Sequence, residues 1–79
     1  MTYYIIVFKN TLDAMNAEKL LKIKNFNFKM MPTPTAITQS CGICVRSEIR
    51  EDIDNIIENN IIIYKNIYQK TNGEYFKII

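Results

Sequence analysis

Tyr3-Tyr4-Ile5-Ile6-Val7-Phe8 is an unbroken run of aromatic and β-branched residues. A run of that length and composition is the pattern of a strand buried on both faces, and it predicts the centre of a sheet. Asn10 or Thr11 then offers an N-cap and Asp13 stands in the first turn. Ala14, Ala17 and Leu21 recur at helical spacing with Met15 beside them, which predicts an amphipathic helix to about Lys24, closed by Asn25. Phe26, Phe28 and Met30 alternate with Asn27 and Lys29, the period of a strand with one wet face, and Pro32 ends it because proline cannot donate to a ladder. After a long connection, Ile43-Cys44-Val45-Arg46 predicts a short strand. Ser47 is the candidate N-cap of a second helix, with Glu48, Glu51 and Asp52 in its first turns and Ile49, Ile53, Ile56 and Ile57 along one face. Asn59-Asn60 stops that helix. Ile61-Ile62-Ile63-Tyr64 predicts the start of a fourth strand running to Tyr68, and Asn72-Gly73 a turn before Tyr75 to Ile79, an edge strand or hairpin arm.

The order β-α-β-β-α-β predicts an α+β fold, a ferredoxin-like split βαβ sandwich with an antiparallel sheet and both helices on one face. Residues 1–79 read as a single domain, and a chain this short buries only about 60% of the surface its unfolded form exposes. It is too small for a large catalytic cleft. If the third predicted strand lies antiparallel to the first, Cys41 falls near Lys9 and the helix start at Thr11-Leu12. A helix N-terminus and a neighbouring lysine both favour a thiolate.

Composition narrows the chemistry. Histidine is absent, so Ser-His, Cys-His and His-ligated zinc sites cannot be built from one chain. Two cysteines cannot complete a four-ligand zinc site unless a second copy supplies the rest. No metal or cofactor is expected. A net charge of +2 is too small by itself to imply nucleic acid or an anionic membrane surface, so neither is expected as a partner. With no basic leader followed by an apolar core and no long apolar run, the chain reads as cytoplasmic, where thiols stay reduced.

The connection from Pro32 to Gly42 is longer than packing requires, and loops of that length tend to carry function. It ends in Cys41-Gly42, and Cys41-Gly42-Ile43-Cys44 matches C-x-x-C. One reading is a dithiol redox pair, but residues three apart in a strand point to opposite faces. A shared metal site is another. The third separates the thiols: Cys41 exposed and reactive at the loop end, Cys44 buried as a small hydrophobe, with a structural Cys41 as its counterpart. Gly42 lets backbone or a partner chain approach the sulfur. Glu18, set among Ala14, Leu21 and Met15, is expected to pair with Lys22 or Arg46, with proton exchange with Cys41 as the lesser reading. Pro32-Thr33-Pro34 stiffens the loop, with a cis bond open at either proline. Thr33, Thr35, Thr38 and Ser40 can bond the loop backbone or an anion. The aromatic residues read as core, since no glycine-flanked aromatic-basic motif accompanies them.

Tyr4-Ile5-Ile6-Val7-Phe8, the helix from Ala14 to Leu21, Met31-Pro32-Thr33-Pro34 and Ser40-Cys41-Gly42, in that order, resemble the small bacterial domains described as "putative selenium/sulfur carrier protein-like". The resemblance covers nearly the whole chain. It implies that Cys41 carries sulfur or selenium as a persulfide or perselenide between a donor such as a cysteine desulfurase and an acceptor protein. The protein would then be a carrier and not an enzyme in its own right. Cys44 lies outside the motif and leaves a disulfide with Cys41 open. The alternative function is a protein-binding or regulatory module, and exposed edge strands allow a homodimer.

Overall fold

The computed structural model describes residues 1–37 and 41–79. Its elements run β1 (Thr2–Val7), α1 (Thr11–Ile23), β2 (Lys29–Pro32), β3 (Ile43–Ser47), α2 (Arg50–Asn59), β4 (Asn66–Thr71) and β5 (Glu74–Lys77). The strands form one antiparallel sheet in the order β2-β3-β1-β4-β5. The apolar run is the central strand: β1 pairs β3 through Val7 opposite Cys44 and Tyr4 opposite Ser47, and pairs β4 through Val7 opposite Asn66.

Both helices lie on one face of the sheet. Ala14, Ala17 and Leu21 of α1 and Ile53 and Ile56 of α2 pack with Tyr4, Ile6, Phe8, Val45 and Ile67, and burying each isoleucine contributes about 1.5–3 kcal/mol. Alternate residues point the other way, where Ile5, Val7, Cys44 and Ile37 form a smaller cluster edged by Tyr3, Met31, Tyr68 and Tyr75. Helix α1 begins where expected: the Asn10 side chain accepts from the Asp13 N–H at 2.8 Å. It ends at Lys24 and Asn25, the latter with φ 58°. Asn60 closes α2 in the left-handed region, a conformation asparagine tolerates. Asn72 and Gly73, both with positive φ, make the two-residue turn between β4 and β5 that matches the twist of a hairpin.

Four expectations change. Ile61 to Tyr64 is not strand; the Ile61 N–H bonds the Ile56 carbonyl at 3.4 Å, finishing the helix, and Ile63 is 71% exposed. The first bond to the sheet is from the Lys65 N–H to the Val7 carbonyl at 2.7 Å. Ser47 is the last residue of β3 and not the α2 N-cap, which is Ile49; the Ser47 hydroxyl accepts from the Ile49 N–H at 3.3 Å within the turn. Ile49 accordingly lies outside the buried helical face. β2 starts at Lys29, and Phe26 and Phe28 precede it, half-buried against the helix-side core. Neither proline follows a cis bond. Among the described residues no helix is long and apolar enough to cross a membrane.

Candidate functional site

The Pro32-Thr33-Pro34 segment is built to hold one geometry. Each proline fixes its own φ and biases the residue before it toward extended backbone, and Thr33 supplies the only N–H and hydroxyl of the three. Both are used. The β2–β3 ladder reaches Pro32 opposite Ile43, and Thr33 carries it further, its N–H donating to the Gly42 carbonyl and its hydroxyl to the Cys41 carbonyl, each at 3.0 Å. The hydroxyl bond is buried. The two short motifs, separated in sequence, are therefore one clamped structure.

That clamp sets the direction of Cys41. Ile43 and Val45 of β3 face the helices, and Cys41 shares their parity. Its sulfur meets the Thr11 hydroxyl, the first residue of α1, at 3.9 Å, a contact in which either group can donate. The expected placement of Cys41 beside the start of the first helix holds. The expected exposure does not: Cys41 is 6% exposed and belongs to the helix-side core. It is buried because Thr33 keeps residues 41 and 42 in the plane of the sheet, which tucks the side chain under α1 instead of projecting it from a loop.

Gly42 is exposed, and a methyl group added to it would meet nothing within 4 Å. Its φ is not positive. Neither internal crowding nor backbone conformation among the described residues calls for glycine there.

Cys44 lies on the opposite sheet face with Ile5, Val7 and Ile37, and its sulfur donates to the Pro32 carbonyl at 3.7 Å. Burial pushes its thiol up to about 11; a hydrogen bond with Thr33 partly offsets this, and the charge of an ionised Cys41 adds to it. Both thiols are free. Two side chains on opposite faces do not have the Cβ geometry of a disulfide, so the dithiol reading loses its structural basis.

The remaining candidates divide. Thr11, Pro32, Thr33, Cys41 and Gly42 converge. Pro34 accepts a hydrogen bond from the Ile37 N–H at 3.1 Å, turning the chain so that Ile37 covers Cys44. Lys9 is exposed beyond β1, while the described partners of Cys41 are Thr11 and Thr33. Glu18 pairs with Lys22 at 3.4 Å, and seven residues of helix place it roughly 10 Å along the axis from Thr11, which leaves the proton-exchange reading without a contact. Arg46 pairs with Glu48 at 3.6 Å. Ser40, with Thr38, lies outside the described residues. No group of three metal-ligating side chains occurs among the described residues. A groove of about 590 Å³ between α1 and residues 60–63 is lined by Leu20, Ile23 and Ile63 and does not include Cys41.

Fold and site together define a small α+β domain that presents one clamped, sheltered cysteine at a helix start. The chain belongs to the family described as "Putative Se/S carrier protein-like", which matches residues 3–69. It is also similar to the "Uncharacterized protein MJ0011" of Methanocaldococcus jannaschii, with 35% identity over 60 residues, 73% of this chain. The match spans 30% of that relative's length, and the relative is archaeal, so the likeness extends beyond bacteria. No solved structure matches.

Proposed function

We propose that the protein carries sulfane sulfur or selenium on Cys41 between a donor enzyme, such as a cysteine desulfurase, and an acceptor protein. The observation that carries this reading is the convergence of three separate sequence features on one cysteine: the Pro-Thr-Pro clamp holds the Cys41 and Gly42 carbonyls, the start of α1 meets the Cys41 sulfur, and Gly42 follows it in the chain. The N-terminal end of α1 carries a partial positive charge that favours an anionic sulfur. In the loading step the Cys41 thiolate attacks the terminal sulfur of a donor cysteine persulfide. A bond forms from the Cys41 sulfur to the transferred atom, the donor S–S bond breaks, and the donor thiolate leaves with the electron pair. No outside oxidant or reductant is consumed. Burial of Cys41 shelters the loaded atom from bulk thiols, and the open space beside Gly42, next in the chain, leaves room for a partner backbone to dock. We also read the arrangement as a ferredoxin-like split βαβ unit extended by β5, and the setting as the reducing cytoplasm.

A second reading takes Cys41 as structural in a protein-binding module, and its burial favours that reading. Loading separates the two. Reduced protein is incubated with a cysteine desulfurase and cysteine and its intact mass measured. The carrier reading expects one added sulfur on wild type and Cys44→Ala and none on Cys41→Ser. Equal loading of both single variants, or of neither, supports the structural reading instead.

A further inference from the structure

The sheet face turned away from the helices carries an arrangement that the carrier chemistry does not use. Antiparallel partners share a face, so the register lays out two rows across it. Lys29, Arg46, Ile5, Tyr68 and Lys77 stand opposite one another along β2, β3, β1, β4 and β5. Tyr3, Lys70 and Tyr75 form the second row across β1, β4 and β5, about 7 Å from the first by strand rise. The three tyrosines are half-buried. The Arg46 guanidinium lies 3.8 Å from the Tyr3 ring centroid and the Lys70 ammonium 4.1 Å from that of Tyr75.

Acidic residues are elsewhere. Asp13 and Glu18 are on α1, and Glu51, Asp52, Asp54 and Glu58 on α2. Glu74 pairs with Thr71, the opposite parity to Tyr75 and Lys77. Glu48, outside the ladder, contacts Arg46 at 3.6 Å. No ladder position on this face is acidic. The net charge of +2 therefore conceals an uneven distribution, with α2 acidic and this sheet face basic, and the whole-chain argument against nucleic acid does not apply to this surface. The Arg46 guanidinium is partly shielded, its Nε buried without a protein acceptor.

We infer that this face binds single-stranded nucleic acid, with Lys29, Arg46, Lys70 and Lys77 meeting phosphates, and with the Tyr68 ring, together with those of Tyr3 and Tyr75 uncovered as Arg46 and Lys70 turn to phosphate, offering surface to bases. Sequence-independent single-strand binding combines these two elements, a cationic track and aromatic rings on which bases stack. A duplex hides its base faces, and an acidic peptide would use the cations but not the rings. The inference is independent of Cys41, whose side chain lies on the other side of the sheet.

The test is fluorescence anisotropy with labelled oligouridine and oligodeoxythymidine of roughly twelve nucleotides, titrated with full-length protein over a range of salt. The expected result is saturable binding at low salt, with a log–log salt slope of roughly −2 to −3 for four phosphate contacts. Arg46→Gln and Lys70→Gln should each weaken binding several-fold and reduce the slope by about 0.7. Tyr75→Leu, on an edge strand, should weaken it about tenfold with the slope unchanged, while Lys19→Gln and Lys22→Gln on α1 should leave both untouched. Thermal melts identify any variant that is unfolded, and Lys77→Gln, an exposed position, then takes its place. Binding of either sugar type supports the inference and their ratio names the source. Absence of binding at low salt, loss shared equally by the α1 variants, or competition by polyglutamate or duplex as strong as by the single strand would overturn it.

Discussion

At the residue scale, Thr33 organises the site more than Cys41 does. Its hydroxyl satisfies the buried Cys41 carbonyl, and removing one partner of a buried bond costs about 1–3 kcal/mol because the other is left unpaired. Thr33→Val, nearly isosteric, should lower the unfolding free energy measured by urea denaturation by that amount, whereas Thr33→Ser should recover most of it. Gly42→Ala should behave oppositely. With open space around the new methyl and no positive φ, its stability should stay within about 0.5 kcal/mol of wild type, while sulfur loading from a donor enzyme falls because the partner's approach is obstructed. Unchanged loading would remove the functional argument for that glycine.

Cys44 gives a pH dependence of definite sign. Its thiol ionises at about 11 in the fold against an ordinary value of 9.0, so between those values the unfolded chain has lost a proton that the folded chain retains. Stability from this group is fully present below 9.0 and is lost as pH rises through about 11, by on the order of 3 kcal/mol at about 1.4 kcal/mol per pKa unit. Urea melts of wild type and Cys44→Ala at pH values on both sides of that window should show the wild type losing more stability than the variant. Parallel curves would contradict the burial argument.

At the element scale, what was legible in the sequence was what local chemistry decides. The β1 run, the Asn10 cap, the Asn25 and Asn60 stops and the Asn72-Gly73 turn each depend on a few adjacent residues, and each stands where the pattern places it. Asn10→Ala should cost about 1 kcal/mol through loss of the cap, and loosening the first turn of α1 should also disturb the Thr11 contact to Cys41. Hydrogen exchange at residues 11–14 is the readout.

The misses came from positions decided by distant partners. Ile61 to Ile63 have strand composition, but the helix they leave and the core that takes Ile62 override it. Ser47 has the chemistry of an N-cap and lies instead in the ladder opposite Tyr4. Of the site, the Cys41–helix approach and the opposed faces of Cys41 and Cys44 followed from strand order and parity. The burial of Cys41 did not, because it depends on Thr33 bonding across the end of the sheet. A threonine held between two prolines was the available signal, since it is the only donor in a rigid segment. Ile37 had a similar one, as an isolated large aliphatic residue in a polar loop.

At the scale of the whole molecule, the two faces of the sheet differ in character. The helix-side core shelters the Cys41 sulfur, and the opposite face collects cations and tyrosines. Membership of the carrier-like family names a class of cargo, and the geometry supplies a reason why one of two thiols would hold it. Cys41 has the helix start, the clamp and the glycine; Cys44 has an apolar surround and a thiol that stays protonated at neutral pH. The most direct test of this account is to load wild-type protein with a cysteine desulfurase and cysteine at neutral pH, alkylate it, and locate the added sulfur by fragment-ion mass spectrometry. The account predicts the sulfur on Cys41 with Cys44 unmodified; sulfur on Cys44, or distributed equally between the two, would contradict it.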